Sequence, residues 1–333
     1  MKTKINAAVL GLGVGERHVQ TLKKNKLISK IYVFDLNSKK KNLIKKKYNV
    51  LAYKNKYEAF NDKEINLIVD ATYDNFHYKN IINSIKSNKN IFVEKPAFQK
   101  KNDADKCFKL LKKKKLFIGT NYILRSSPRF KKIKKMIDNK SFGDIYYFEG
   151  DYNYGRLNKI TSGWRGKIPF YSITLGGGSH IIDLSKFLIN KKILEVKSYS
   201  NKIVTNKTNF KYADNVVSIV KFENQIVGKI SSNFSCVYPH FHKINLYGSN
   251  LTFENGIDYG KLFTKRNKNK FRIIKQQYKP LNKGEILEKF INDLVLKKNR
   301  TFYINQIFDA MSVGFAIEKS IKENKTIKVK YYK

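Results

Sequence analysis

The stretch Ile5-Asn-Ala-Ala-Val-Leu-Gly11-Leu-Gly13-Val-Gly15-Glu-Arg-His18 decides how this 333-residue chain is read. An apolar run breaks into three glycines at alternate positions and then into a helical stretch. Glycines there let the main chain approach a pyrophosphate, and the positive end of the following helix favours its charge. The spacing is one residue shorter than the usual G-x-G-x-x-G fingerprint. Asp35 strengthens it. That residue closes the next apolar run, Lys30-Ile-Tyr-Val-Phe-Asp35, where a carboxylate accepts the hydroxyls of an adenosine ribose. A dinucleotide is expected on Gly11, Gly13, Gly15 and Asp35. The carboxylate favours NAD by repelling a 2′-phosphate, while Ser38 and Lys39 leave NADP open.

Outward from this loop, apolar runs at residues 67–71, 90–94 and 116–120 alternate with helical stretches at 16–24, 38–48, 77–86 and 103–114. Ser38 reads as an N-cap. Strands alternating with helices predict a doubly wound parallel sheet over residues 1–120. After Asn121 the texture changes. A helix is expected over 128–138, followed by alternating runs at 145–152, 216–222, 226–232, 243–247 and 251–254, with a turn at Asn255-Gly256. Helices are expected at 285–296 and 306–323, and a solvated loop at 265–270. The fold class is α/β in the first domain, with residues 121–333 forming an α+β domain around a mixed or antiparallel sheet.

The formal charge is +42, and only eight of the 68 basic residues are Arg. The lysines spread along the whole chain, whereas nucleic-acid readers cluster them and use Arg for bidentate contacts. This argues for a lysine-rich composition and against a specific nucleic-acid partner. The field still attracts an anionic substrate or cofactor. No apolar run approaches the ~18 residues of a membrane helix. The basic residues before Ile5 resemble the start of a signal peptide, but the apolar patch runs into the glycine loop and reads as a first strand. Cys107 and Cys236 are too few for a disulfide framework, which suits a reducing cytoplasm.

Two further motifs carry chemistry. Asn90-Ile-Phe-Val-Glu-Lys95-Pro96 puts a lysine at the carboxyl end of a buried strand, where ligands of open α/β sheets bind. An ammonium there stabilises a developing alkoxide. Gly176-Gly-Gly-Ser-His180-Ile-Ile-Asp183 opens a helix with an imidazole and a carboxylate about one turn apart. The glycines read as a flexible entry, and the positive helix end as keeping His180 neutral, ready to act as a base. Asp183 serves to hold a substrate hydroxyl, to orient the imidazole, or only to offset the helix dipole. His240-Phe-His242 has a metal-like alternation, but it is read as lacking an acidic or cysteine partner, so no metal is expected. Cys107 reads as packing.

These residues together resemble the Gfo/Idh/MocA family of sugar and cyclitol oxidoreductases. The resemblance runs from the glycine loop with His18, through Asp35 and Ala71-Thr-Tyr-Asp-Asn-Phe-His77, to Glu94-Lys95-Pro96. It continues through Asn121-Tyr-Ile-Leu-Arg125, Gly143-Asp-Ile145, Trp164-Arg165 and residues 176–183. It implies an N-terminal Rossmann domain, a second domain with a large open sheet, NAD(H) or NADP(H), and homodimers or homotetramers formed through that sheet. It makes Lys95 the catalytic lysine and His180 the acid/base. Thr72, Asn75, His77 and Glu94, with Lys95, are expected along the nicotinamide half of the cofactor. Asp183, Arg125, Trp164 and Arg165 are expected on a small sugar-type substrate lying between the domains. Many members carry Asp four residues before this histidine, where this chain has Gly176, so a Lys95–His180 pair is expected in place of a three-residue relay. The substrate favoured is a free or nucleotide-linked hexose. An inositol or other polyol is the rival, and a dinucleotide-binding sensor without turnover is the alternative from another class.

Overall fold

The computed structural model describes residues 4–266 and 269–333; two residues of the loop expected at 265–270 lie outside the described residues. The chain divides into two compact units. The first holds the described residues up to Asn121, with Asn282–Phe308 and Tyr332; the second holds Tyr122–Leu281, Asp309–Tyr331 and Lys333. Residues 282–308 thus return to the first unit, whereas a division at 120/121 assigns them to the second.

The first unit opens with β1 (Ile5–Leu10), α1 (Gly15–Lys24), β2 (Ile28–Phe34), α2 (Ser38–Tyr48), β3 (Leu51–Ala52) and α3 (Lys56–Asn61). It continues with β4 (Leu67–Asp70), α4 (Asp74–Lys86), β5 (Asn90–Val93), α5 (Lys101–Lys112) and β6 (Ile118–Thr120). The six strands form one sheet in the order β3-β2-β1-β4-β5-β6, and every pairing is parallel. This is the strand order of a Rossmann fold, with the reversal beside β1. Its central strands are mostly apolar because both faces are covered: Val9, Val33, Leu67, Val69 and Phe92 share one core. The N-cap of α2 is Asn37, whose side chain accepts the Lys40 N–H, and Ser38 is the first helical residue.

The second unit begins with a 3-10 turn (Ile123–Ser126), α6 (Pro128–Asp138), β7 (Ile145–Asn153), the short α7 (Asn158–Thr161) and a 3-10 turn at Trp164–Gly166. A π turn (Thr174–Gly178) runs directly into α8 (Ser179–Ile189). Then come β8 (Ile193–Asn201), β9 (Asn215–Phe222), β10 (Val227–Asn233), β11 (Phe241–Gly248), β12 (Thr252–Asn255), β13 (Gly260–Phe263) and β14 (Phe271–Ile274). After α9 (Glu285–Val295) of the first unit, α10 (Arg300–Glu323) contributes residues to both units, and β15 (Ile327–Lys328) ends the chain's regular structure. The nine strands form one sheet, β14-β13-β12-β11-β7-β10-β9-β8-β15. β7 and β10 pair in parallel and the remaining neighbours are antiparallel, so the sheet is mixed. One face carries the core: Phe148 and Tyr152 of β7, Val216 and Val220 of β9, and Ile244 and Leu246 of β11 pack with Ile181, Leu184 and Leu188 of α8. A Cβ on Gly150 would lie 2.3 Å from Ile181 Cγ2, so that glycine lets α8 seat closely on the sheet.

Candidate functional site

Four strand ends of the first unit carry its polar chemistry. Gly11 has φ +79°, and a Cβ there would stand 2.6 Å from the Ala71 carbonyl oxygen. Gly15 packs against Val9 and Ala71, with a Cβ 3.1 Å from Val9 Cγ1. Gly13 differs, because nothing lies within 4 Å of its Cβ position. The loop is thus fastened at both ends and open in the middle. No side chain caps the N-terminus of α1, which leaves its first-turn amides to an anion. Asp35 is fixed by two main-chain donors, Leu12 N–H to Oδ2 at 2.6 Å and Asn37 N–H to Oδ1 at 2.8 Å. A carboxylate oxygen takes more than one donor, so ribose hydroxyls still have acceptors. These residues fit a dinucleotide.

Beside the loop, Asp70 is fully buried at the end of β4. Its Oδ1 accepts from Thr72 N–H (3.0 Å) and Thr72 Oγ1 (2.6 Å), and its Oδ2 from Asn80 Nδ2 (2.9 Å). His77 is also fully buried, with Nδ1 2.8 Å from the Pro96 carbonyl and Nε2 3.1 Å from that of Thr72. The ring therefore works as a brace between the loops after β4 and β5 and is turned inward. Asn75 Oδ1 is enclosed without a hydrogen-bond partner.

Glu94 follows β5. Its Oε1 accepts from His18 Nε2 of α1 and from Asn121 Nδ2, both at 2.9 Å. Burial pushes this carboxyl up; the His18 hydrogen bond and charge, the Asn121 amide and the Lys95 charge outweigh it and hold Glu94 below the usual glutamate range. Lys95 is next, half-buried, on the same carboxyl edge of the sheet as the glycine loop, and its peptide bond to Pro96 is cis. Asp70, Asn80 and Asn121 were not singled out from sequence. The available signal was positional: each lies at or just beyond the carboxyl end of a buried strand or on the helix that follows.

In the second unit, His180 is 6% exposed and boxed by aromatic rings. Tyr152 stacks at 6.1 Å between centroids and 9° between planes, while Tyr122 (6.0 Å) and His242 (5.9 Å) meet it edge-on. His240 Nε2 lies 3.1 Å from the Tyr152 hydroxyl. The Tyr278 hydroxyl accepts the His242 main-chain N–H at 3.1 Å and bonds its Nδ1. The His240-Phe-His242 alternation therefore builds the wall of this box. Among the described residues no group of three or more His, Cys, Asp or Glu is placed to hold a metal.

Two expectations change here. His180 does not lie at an exposed positive helix end, because the π turn continues into α8 without a break. The glycines before it are not an open entry either. A Cβ on Gly176 would meet the Tyr171 hydroxyl at 2.4 Å, one on Gly177 would meet Phe234 and Tyr152 at 2.7 Å, and one on Gly178 would meet Ser232 Oγ at 2.2 Å. They are glycine because the turn is squeezed.

Asp183 and Arg125 are brought together in a bidentate pair, Nε to Oδ2 at 2.7 Å and Nη2 to Oδ1 at 2.8 Å, with the Asp183 side chain 1% exposed. The pair fastens the 3-10 turn at Ile123–Ser126 to α8. Arg165 donates from Nε to the Tyr171 hydroxyl at 3.1 Å, and its guanidinium lies 4.5 Å from the Trp164 ring centroid. That group adjoins Tyr154, which stacks on Tyr152 at 5.9 Å. Cys107 is fully buried, and burial pushes its thiol up, as packing requires.

A Rossmann-ordered sheet, an open glycine cradle and an anchored Asp35 together define a dinucleotide-binding oxidoreductase. The family description "Oxidoreductase family, NAD-binding Rossmann fold" matches residues 5–122, and "GFO/IDH/MocA C-terminal domain" matches residues 130–254. The chain belongs to the Gfo/Idh/MocA oxidoreductases, and its cofactor is NAD(P). It is 22% identical over 345 residues to a Thermotoga maritima myo-inositol 2-dehydrogenase, covering 96% of this chain and 97% of that protein. It is 22% identical to a Bacillus subtilis scyllo-inositol 2-dehydrogenase (NAD(+)), covering 75% of this chain and 73% of the other. Levoglucosan dehydrogenase in complex with NADH and L-sorbose shares its fold, with TM-score 0.86, 15% identity, and coverage of 98% and 99%. Among the described residues no helix is long and apolar enough to cross a membrane.

Proposed function

We propose that this protein oxidises or reduces a secondary hydroxyl or keto carbon on a cyclic polyol, a cyclitol or a free or nucleotide-linked sugar. The observation that carries the reading is Lys95, just beyond β5 on the carboxyl edge that also holds the glycine cradle and Asp35. Ligands of such sheets bind at that edge. The bound nicotinamide supplies the hydride acceptor or donor. In oxidation His180 takes the hydroxyl proton, and the Lys95 ammonium stabilises the negative oxygen; in reduction the proton moves back from His180. Thr72, Asn75 and Glu94 shape the nicotinamide half, Thr72 and Glu94 each fixed by the hydrogen bonds described above. His77 supports it by bracing Thr72 and Pro96. Trp164 and Arg165 offer a flat ring and a cation to the substrate, while the Arg125–Asp183 pair holds the helix of His180. The inositol dehydrogenases among its relatives support the polyol class, and the positive field supports an anionic substituent.

The test is a cofactor-reduction screen with NAD and NADP over inositols, hexoses and nucleotide sugars. Lys95→Met and His180→Gln should each lower turnover by about a hundredfold to ten-thousandfold with cofactor affinity kept. Unchanged turnover in both variants, or no turnover with any cyclic polyol, overturns the reading. A homodimer or homotetramer is also proposed, supported by exposed Tyr146, Tyr199 and Ile219 on the large sheet, and is checked by sedimentation. The proposed compartment is the cytoplasm, in keeping with two free cysteines.

A further inference from the structure

Glu318 of α10 is a carboxyl that the chemistry above does not use. Burial pushes it above the usual glutamate range, against the pull of the Ser172 and Thr174 hydroxyls. Ser172 Oγ donates to Glu318 Oε1 at 2.6 Å. The same Ser172 Oγ accepts the Leu175 N–H at 3.0 Å, and the Ser172 carbonyl accepts the Gly176 N–H at 2.8 Å. Glu318 thus grips Ser172, whose hydroxyl and carbonyl hold Leu175 and Gly176 of the π turn that leads into His180. A second observation places α10 against that turn independently. Gly314 lies one helical turn before Glu318, on the same face, and a Cβ there would stand 2.6 Å from Leu175 Cδ2.

The π turn matters because it carries one residue more than an α turn. Such turns are rare and occur mostly as single inserts, often at functional sites. At 3.6 residues per turn, losing or gaining one residue rotates everything downstream by about 100°. The rotation present here points His180 at Tyr152 and His242 and, one turn on, Asp183 at Arg125. Something must hold the wide form. On the sheet side Tyr152, Ser232 and Phe234 leave no room for side chains on Gly177 and Gly178. On the other side stands the Glu318–Ser172–Leu175 hydrogen-bond chain, seated by Gly314.

We propose that Glu318 is a positioning residue for His180, holding the π turn through Ser172 so that the imidazole keeps its catalytic rotation. This rests on the reading of His180 as the acid/base. Glu318 touches neither substrate nor cofactor in this role. Its hydrogen bond to a hydroxyl does not need a charge, so glutamine can replace it and alanine cannot.

The experiment compares wild type, His180→Gln, Glu318→Gln, Glu318→Ala and Ser172→Ala in kcat, KM and NAD affinity. It also records the His180 ring resonances by NMR, assigned by their loss in His180→Gln. A misplacement of about 1 Å costs about a hundredfold in turnover. Glu318→Ala should approach that loss in kcat with NAD affinity kept, and its His180 resonances should move. Glu318→Gln should restore both kcat and the resonances. Ser172→Ala removes the same bond from the other end and carries the test if Glu318→Ala does not fold. If His180→Gln keeps full turnover, the acid/base reading fails. If His180→Gln loses turnover while Glu318→Ala and Ser172→Ala keep kcat and leave the His180 resonances in place, the positioning role is overturned. Equal losses in Glu318→Gln and Glu318→Ala overturn it as well.

Discussion

Two largely enclosed glutamates, one in each unit, are treated in opposite ways. Glu94 receives an imidazole, an amide and a nearby ammonium, and its carboxyl is held down. Glu318 receives the Ser172 hydroxyl, and its carboxyl is pushed up. The contrast extends to their surroundings. The strand ends of the first unit are fastened by hydrogen bonds from polar side chains to main chain or to one another: Asp35 to main-chain amides, Asp70 to Thr72 and Asn80, His77 to two carbonyls. The box around His180 is fastened mainly by rings and by glycines that admit no side chain. One set of candidate site residues is positioned by polar bonds and the other by packing.

The largest effect should come from a charge pair within the packed half. Asp183→Ala leaves the Arg125 guanidinium without its bidentate partner beside an almost fully buried site. Breaking such a pair costs about 3–5 kcal/mol. Chemical denaturation should show that loss, and replacing both partners with apolar residues should recover much of it. Little change in the Asp183→Ala midpoint would mean that the Arg125–Asp183 pair does not hold this helix.

A smaller effect separates the two glycine runs directly, because the same substitution should act on different observables. Gly177→Ala drives a methyl into Phe234 and Tyr152 at 2.7 Å, and overpacking of this kind costs about 1–3 kcal/mol. Gly13→Ala meets nothing within 4 Å, so stability should stay within about 0.5 kcal/mol while NAD binding weakens. Denaturation midpoints and NAD titration of the two variants check this. Stability lost in Gly13→Ala, or none lost in Gly177→Ala, would erase the distinction.

That distinction also explains what the sequence made legible. The glycine loop, Asp35 and Lys95 lie within a few residues of strands that announce themselves as apolar runs, so their placement at one sheet edge follows from local pattern and the parallel topology. The nine-stranded sheet was legible as a set of alternating strands, but its parallel β7–β10 pair was not, since pairing partners are far apart in sequence. His180 and Asp183 were legible as residues on a helix. Their surroundings were not, because Tyr152, His242, Tyr278, Ser172 and Glu318 come from five other segments. Three glycines in a row read equally well as slack or as close packing, and only the neighbours decide. The return of 282–308 to the first unit escaped for the same reason: Phe290 packs on Phe92 and Phe117, and a Cβ on Gly119 would lie 2.5 Å from the Phe290 ring.

The smallest effect is a pair of pH slopes of opposite sign. A carboxyl held down in the folded state stabilises the fold above its ordinary value, and that contribution disappears as pH falls through the folded value. Glu94 is such a group. A carboxyl pushed up contributes stability in full below its ordinary value and loses it as pH rises through the folded one. Glu318 is of that kind. Replacing Glu94 with glutamine should therefore remove stability at neutral pH and leave the acid end nearly unchanged. Replacing Glu318 with glutamine should raise stability at neutral pH relative to the acid end. Unfolding midpoints of both variants, measured from roughly pH 3 to pH 8 against the parent protein, give two difference curves that should slope in opposite directions. Parallel curves would mean that the two carboxyls are held alike, and that the division between a polar half and a packed half does not extend to their ionisation.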